Sequence, residues 1–172
     1  MHITEGSLTI RDAAPEDAPQ LCAWWNDGKV MAHAGFPNGL GTTERGIRES
    51  LQKDTDEDRR LVIELDGKPI GEMNYRTKGE KTAEIGIKIC DPSKQDRGLG
   101  TMLLTMLINA LFGEYGYERI VLDTNVNNLR AQHVYEKLGF RRAGVRTNAW
   151  RDQLGSWQSA MDYELKKEET KC

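Results

Sequence analysis

The segment 85–112 constrains the fold of this chain more than any other. It begins with an apolar, strand-like run that an aspartate-proline turn interrupts, and beyond Gly98 and Gly100 it continues as a long apolar stretch. That stretch is apolar almost all round, which predicts a helix buried inside the fold. A predicted strand at 119–123 follows, and a strand-helix-strand unit of this kind requires a parallel pair of strands.

The segments before it predict a second kind of strand pairing. Three candidate strands, 59–65, 69–76 and 82–90, are separated only by short turns, and strands joined so closely should be antiparallel. The sheet must then be mixed and mostly antiparallel, and we expect an α+β fold with helices on both faces. Further strands are predicted at 7–11 and as a pair within 140–165, and further helices at 12–25, 43–54 and 127–138.

Composition and charge limit the function classes open to such a protein. The chain has 172 residues, of which 38% are hydrophobic and 30% are charged, so we expect one domain over residues 1–172. A formal net charge of −3 provides no basic face for a nucleic acid partner. The longest apolar stretch is about half as long as a bilayer requires, so no membrane partner is expected.

The N-terminus and the cysteines indicate a compartment. The first residues lack the basic and apolar regions of a signal peptide, and Cys22, Cys90 and Cys172 are widely spaced. Scattered thiols are typical of a reducing compartment, and none of them has metal-binding spacing. We therefore expect a cytoplasmic protein without a bound metal. The charged tail at 166–172 is expected to be frayed.

The loop before the buried helix predicts a phosphate site. Gly98 and Gly100 begin the helix, and its free N–H groups and its dipole would converge on an anion there. Glycine lets the backbone approach the anion closely. The segment lacks the GxxxxGKS/T pattern of a nucleoside triphosphate loop and the third glycine of a dinucleotide fingerprint. Considered by itself, it also fits a plain helix start with permissive glycines.

Two motifs in this region resemble the GNAT acetyltransferase family. The family pattern Q/R-x-x-G-x-G/A is matched by QDRGLG at 95–100, and the family signature NxxAxxxYEKxGF resembles NLRAQHVYEKLGF at 128–140. The two motifs occur in the family's order with a predicted strand between them. Together they cover about residues 84–142. The run WWND at 24–27 resembles the branch that includes ribosomal-protein N-terminal acetyltransferases.

The resemblance implies an acetyl-CoA-dependent N-acetyltransferase that transfers the acetyl group directly to a primary amine in a ternary complex. It also implies a sheet that splays at the acetyl-CoA site, a strand that binds pantetheine and a glycine motif that holds the pyrophosphate. Two of the residues implied for cofactor binding also have a simpler explanation: Asn128 could only cap its helix, and Arg130 could be an ordinary solvated arginine. The residues implied for cofactor binding are Ile87, Ile89, Gln95, Arg97, Gly98, Leu99, Gly100, Thr101, Asn128 and Arg130.

The resemblance further implies that Tyr135 protonates the departing CoA thiolate, although its helix face is apolar and a core position stays open. A phenol with a pKa near 10 is protonated at neutral pH and can donate that proton. A lysine-like amine, with a pKa near 10.4, is neutral in roughly one molecule in a few thousand and therefore needs a base. Glu84 and Glu72 are the candidates, and each also fits a solvent-facing strand position.

The parts outside the two motifs are expected to bind the acceptor, which is either a protein N-terminus or a small amine. Trp25, His33, Phe36 and Asn74 are the candidate residues, and the aromatic ones fit core positions equally well. A catalytically silent acetyl-CoA-binding module and a nucleotide-linked oxidoreductase stay open as alternatives. A homodimer is implied by the resemblance alone.

Overall fold

The computed structural model describes residues 1–170, so Cys172 and the end of the predicted frayed tail lie outside the described residues. No helix within this range combines the length and the apolar character needed to cross a bilayer. The elements are β1 (His2–Glu5), β2 (Leu8–Asp12), α1 (Ala18–Trp25), α2 (Gly28–Met31), α3 (Glu44–Leu51), β3 (Asp58–Leu65), β4 (Lys68–Gly79), β5 (Thr82–Ile89), α4 (Leu99–Gly113), β6 (Arg119–Asn125), α5 (Leu129–Lys137), β7 (Arg141–Arg151) and β8 (Trp157–Lys166).

The strands of the described chain form a single sheet in the order β1-β2-β3-β4-β5-β6-β8-β7. Strands β1 to β5 are antiparallel to their neighbours in sequence, whereas β5 and β6 are parallel. Strand β8 lies between β6 and β7 and is antiparallel to both. The predicted mixed, mostly antiparallel sheet is confirmed, and so is the parallel pair on either side of the buried helix.

Helices cover both faces of this sheet, as predicted. Leu61 and Ile63 of β3 belong to the same apolar cluster as α4, whose Leu103 is completely buried. Successive strand residues point to opposite faces, and on the other face Trp25 of α1 reaches the carboxylate of Glu72 on β4. Helices α1, α2 and α3 form a separate apolar cluster there. Burial of each large apolar side chain contributes about 1.5–3 kcal/mol, so α4 and the sheet stabilise each other.

The sheet opens between β5 and β6. These two strands pair at only three positions, the last of which is Glu84↔Val121. Strand β5 then continues along β4 to Ile89, while β6 continues along β8 to Asn125. The two strands therefore diverge after Glu84 and leave a wedge-shaped gap, where the splay was expected.

The N-terminal strand β1 was not predicted. It forms a hairpin with β2 through Gly6, whose φ of 60° is in the left-handed region that glycine tolerates. Three of its four residues are exposed, so no apolar alternation marks it in the sequence. Only the pairing with β2 identifies this segment as a strand.

The first helix begins later than predicted. Asp12 ends β2 and binds the N-terminal ammonium of Met1 at 2.8 Å, so it does not cap a helix. The carboxylate of Asp17 instead accepts the N–H of Ala14 at 2.7 Å and pairs with Arg11. This bond holds a short 3-10 turn from which α1 continues.

The prediction of a frayed tail is wrong for residues 166–169. Lys166 is the last residue of β8 and pairs with Arg119 of β6. The next three residues form a 3-10 turn, and Glu169 in that turn makes an ion pair with Arg141. Pairing with the middle of the sheet orders a segment that its charge alone would leave in solvent.

Candidate active site

The turn that leads from β5 into α4 is built by its own side chains. The carboxylate of Asp91 accepts hydrogen bonds from the N–H and the hydroxyl of Ser93 at 2.9 and 2.7 Å. The amide of Gln95 donates to the carbonyl of Ile89 at 2.9 Å and so ties the loop to the end of the strand. Gly98 then begins α4 with a φ of 73°, a conformation that glycine adopts without strain.

The start of α4 presents free backbone donors. Within the described part of the chain, the N–H groups of residues 96–101 have no acceptor, and no side chain caps the helix. A Cβ at Gly98 or Gly100 would meet no atom within 4 Å, so the space beside these amides is open. Leu99 and Thr101 share the same first turn. Free N–H groups and a helix dipole bind anions, and this arrangement fits a pyrophosphate.

The gap beside β5 suits an extended ligand that carries amides. Ile87 and Ile89 lie beyond Glu84, where β5 no longer has β6 as a neighbour. A strand directs peptide N–H and C=O groups toward both of its neighbours, so this edge keeps groups free to bind a strand-like chain. The pantetheine arm of coenzyme A has amides of this kind.

The N-terminus of α5 lies beside that of α4. Asn128 caps α5, because its side-chain oxygen accepts the N–H of Ala131 at 3.1 Å. Arg130 pairs with Asp96 in the loop before α4, with 2.7 Å between Nη2 and Oδ1. Arg97 is exposed and has no ion-pair partner within residues 1–170. Of the two arginines predicted to bind the cofactor, Arg130 is therefore held in an ion pair, and Arg97 has no ion-pair partner within residues 1–170.

Tyr135 lies on the inner side of α5. Only 8% of it is exposed, and its ring makes edge contacts with Phe140 and Tyr163 at centroid distances of 6.1 and 5.6 Å. Burial raises the pKa of the phenol to about 12, and the carboxylate of Asp123 adds to the rise. The phenol is therefore protonated throughout the physiological range. It is packed as a core residue, with its hydroxyl protonated.

The two predicted base candidates have different surroundings. Glu84 lies at the last position where β5 pairs with β6, and its carboxylate is 2.7 Å from the guanidinium of Arg76. Glu72 accepts the indole N–H of Trp25 at 3.0 Å and lies 3.8 Å from the ammonium of Lys88. Lys88 belongs to the part of β5 that has separated from β6. Glu72 thus lies one strand away from the gap, across β5, and Glu84 lies where the gap begins.

A cavity of about 300 Å³, open to solvent, lies between the sheet and helices α1 to α3. The guanidinium of Arg60 stacks on the ring of Trp25, 4.4 Å from its centroid. Trp25, which was predicted to bind the acceptor, forms one wall of this cavity, and Glu72 contributes a carboxylate to it. The lining residues are Trp25, Met31, Leu40, Ser50, Arg60 and Glu72.

The other predicted acceptor residues do not line this cavity. Asn74 lies on β4 opposite Gly86, and a Cβ on Gly86 would come within 2.5 Å of the Asn74 Oδ1. His33 and Phe36 are exposed on the segment that follows α2. The structure therefore brings Trp25 together with Glu72 and leaves the other three outside.

The glycine-rich loop at 35–41 is held by the turn between β7 and β8, a contact that the sequence did not indicate. The backbone N–H of Gln153 donates to the carbonyl of Gly35 at 2.8 Å, and its side-chain amide donates to the carbonyl of Gly39 at 2.9 Å. Leu40 of this loop lines the cavity. The chain itself therefore orders the loop, and a ligand is not needed for that.

Sequence reasoning also missed Arg60 and Lys88. The register places Arg60 beside Asn74 and Lys88 beside Glu72, all on one sheet face. The close turn at 66–67 was not a sufficient signal, because a bulge at Ile63/Glu64 shifts the register of β3 on β4 and so changes which residues share a face. Lys88 pairs with Glu72 through the following hairpin, between β4 and β5.

A larger open groove of about 850 Å³ lies at the other end of β5 and β6. Its walls are charged side chains, among them Lys81 and Glu118, which pair at 2.7 Å. Such paired surface charges provide neither a nucleophile nor an apolar wall. Within residues 1–170 no group of three or more His, Cys, Asp or Glu side chains is arranged to hold a metal ion.

Known proteins share both the sequence pattern and the fold. An aminoglycoside N(6')-acetyltransferase type 1 from Klebsiella pneumoniae is 27% identical over 157 residues, which cover 82% of this chain and 77% of that protein. Spermidine N-acetyltransferase from Vibrio cholerae, in complex with CoA and spermine, has a TM-score of 0.85 at 22% identity and covers 96% of this chain and 98% of its own. RimL, a ribosomal-protein alpha-N-acetyltransferase in complex with coenzyme A, has a TM-score of 0.82 at 19% identity with the same coverage, 96% and 98%.

The two structural similarities are below 25% identity and show the fold alone. The profile of the acetyltransferase (GNAT) domain matches residues 7–141, a range that contains the glycine loop, the diverging strands and all of the second motif. The fold and the free N–H groups of α4 agree with this match. The chain therefore belongs to the GNAT acetyltransferase family and is an N-acetyltransferase with acetyl-CoA as its co-substrate.

Proposed function

We propose that residues 1–172 act as one domain that transfers the acetyl group of acetyl-CoA to a primary amine by direct attack in a ternary complex. The observation that carries this proposal is that two sets of free peptide groups lie together. These are the edge of β5 beyond Glu84 and the N–H groups of residues 96–101. A ligand with a pyrophosphate and an extended amide-bearing arm satisfies both sets at once.

Each set has a distinct task in this proposal. Residues 98–101 hold the pyrophosphate, Ile87 and Ile89 align the pantetheine arm, and Gln95 keeps the loop against the strand. Acetyl-CoA supplies the thioester, whose carbonyl carbon the amine attacks. A free strand N–H near Ile87 stabilises the negative charge that develops on the thioester oxygen.

Glu72 is the base in this proposal. It lines the cavity, and the indole N–H of Trp25 holds its carboxylate in place. Glu84 is engaged by the guanidinium of Arg76 and by the ammonium of Lys78, 3.6 Å away. As the N–C bond forms, Glu72 takes the proton of the amine directly or through one water molecule.

Tyr135 completes the transfer as the acid. When the C–S bond breaks, the sulfur leaves as a thiolate, and the phenol donates its proton to it. Burial raises the pKa of the phenol to about 12, so the phenol is protonated when the thiolate forms, although it is a weaker acid than an exposed tyrosine. The phenolate then regains a proton from water.

The acceptor in this proposal is a small molecule with a primary amine. The cavity of about 300 Å³ accommodates a fragment of that size beside the Glu72 carboxylate. Gln153 fastens the loop at 35–41 over the same region, which narrows the approach for a folded protein. The aminoglycoside and spermidine enzymes that resemble this chain are named for small amines of this kind.

The acceptor proposal is tested by measuring free thiol release from acetyl-CoA with spermidine, an aminoglycoside and a short peptide with a free α-amine. We expect at least one small amine to have a kcat/KM about tenfold or more above that of the peptide. Preference for the peptide would contradict the small-molecule proposal. If none of the acceptors produces free thiol although acetyl-CoA raises the melting temperature, the protein is a binding module without transferase activity.

The pyrophosphate proposal is tested by Gly98→Val. The side chain would fill the open space beside the free N–H groups and strain a φ of 73°, so CoA affinity measured by calorimetry should fall about a hundredfold or more. Gly116→Val is the matched control, because Gly116 has a φ of 75° and equally open surroundings. Equal losses of CoA affinity in the two variants would contradict the site.

The base proposal is tested by comparing Glu72→Gln with Glu84→Gln. The first keeps an acceptor for the Trp25 N–H but cannot take a proton, so kcat should fall about 10²–10⁴-fold. The residual rate should rise with pH, because only acceptor that is already neutral reacts. Glu84→Gln should keep kcat within about threefold. The reverse ranking would assign the base to Glu84.

The acid proposal is tested by Tyr135→Phe. This variant keeps the ring contacts with Phe140 and Tyr163 but has no proton to donate, so kcat should fall about 10²-fold or more while the Kd of CoA stays within about threefold. Tyr163→Phe removes a neighbouring buried hydroxyl and should leave kcat unchanged. Unchanged turnover in Tyr135→Phe would show that Tyr135 is a packing residue and that water protonates the thiolate.

A further inference from the structure

The phosphate loop contains a carboxylate that an anion-binding site does not need. Asp96 lies between Gln95 and the glycines, and its φ of 62° is in the left-handed region. Residues other than glycine rarely adopt this conformation, although aspartate and asparagine do so more readily than most. Asp96 is also the first of the residues whose N–H groups are free. Its carboxylate therefore belongs to the same short segment that would bind the pyrophosphate.

The charge of this loop does not by itself favour an anion. Between β5 and α4 the acids Asp91 and Asp96 offset the bases Lys94 and Arg97, so the loop is formally neutral. Hydrogen bonds from Ser93 lower the pKa of Asp91, so its negative charge is retained. A pyrophosphate at residues 98–101 would then be repelled by a carboxylate only a few residues away.

Arg130, on the neighbouring helix α5, offsets the negative charge of Asp96. Its guanidinium Nη2 lies 2.7 Å from Oδ1 of Asp96 and connects the first turn of α5 to the loop before α4. The ion pair turns the carboxylate toward α5 and cancels its charge. The free N–H groups and Arg97 then provide the remaining positive potential for the anion.

We propose that Arg130 is a positioning residue that neutralises Asp96 and holds the phosphate loop, and that it is not itself a phosphate ligand. This inference depends on the pyrophosphate site proposed above. It predicts strong coupling between residues 96 and 130 in CoA affinity. It predicts little coupling in stability, because the two side chains are 74% and 58% exposed and exposed ion pairs contribute little to folding.

The test is a double-mutant cycle on the Kd of CoA, measured by calorimetry with Arg130→Ala, Asp96→Asn and the double variant. Asparagine tolerates the left-handed backbone and has no charge. Arg130→Ala should weaken CoA binding roughly five- to tenfold, because a bare carboxylate then faces the ligand. In the Asp96→Asn background the same change should alter Kd by less than about twofold.

Two results would overturn the inference. An equal loss in both backgrounds would show that Arg130 contacts the ligand directly, and no loss in either would show that the pair does not affect binding. Dephospho-CoA locates any direct contact, because a loss confined to CoA would place Arg130 on the 3′-phosphate. Melting temperatures of the ligand-free variants should lie within about 2 °C of the parent protein's, which shows that the loop variants still fold.

Arg130→Lys is the conservative control. It keeps the positive charge and should retain most of the CoA affinity, as a neutralising role requires. Gly98→Val separates this inference from the proposed site. If Gly98→Val abolishes binding while the cycle shows no coupling, the pyrophosphate site is retained and only the role of Arg130 is rejected.

Discussion

The divergence of β5 from β6 after Glu84 is the constraint on which the rest of this structure depends. A strand that loses a neighbour keeps peptide groups without partners, and such groups need a ligand or water. The loop after β5 then turns into α4 at Gly98 without a capping side chain and adds free N–H groups a few residues away. The buried helix α4 holds both features in one place, because its apolar side chains pack on the sheet.

The two faces of the sheet are covered by different helices and carry different parts of the proposed site. On one face α4 and α5 share the large apolar cluster, and their N-termini meet through Asp96 and Arg130 beside the proposed cofactor site. On the other face, residues of α1 to α3 line the open cavity in which Trp25 and Glu72 meet. The divergence of β5 opens the sheet between these layers. In the proposed mechanism, a cofactor held on one side and an amine held on the other meet at the gap and react directly, without a covalent enzyme intermediate.

Burial and charge give the ionisable groups different properties. Tyr135 is enclosed by aromatic rings, and burial keeps its phenol protonated. Glu72 has an indole N–H and an ammonium as neighbours, whereas Glu84 is tied to surface cations. Asp96 is a carboxylate inside a phosphate loop, and the proposed role of Arg130 is to remove that charge from the site. The proposed acid, the proposed base and the proposed neutralised carboxylate therefore differ because each has different neighbours.

The sequence by itself determined the mixed sheet, the buried helix, the glycine loop before that helix and the family. Strand alternation, turns such as Asp66-Gly67, and two spaced motifs are local properties that a linear sequence carries. Residues 66 and 67 do have the left-handed φ values of 51° and 76° that such a turn requires. Tertiary structure alone decided that β1 is a strand, that Lys166 joins the sheet, that Gln153 fastens the loop at 35–41 and that Arg130 meets Asp96. These contacts join residues far apart in sequence, and their partners are chosen by packing geometry, which no local pattern records.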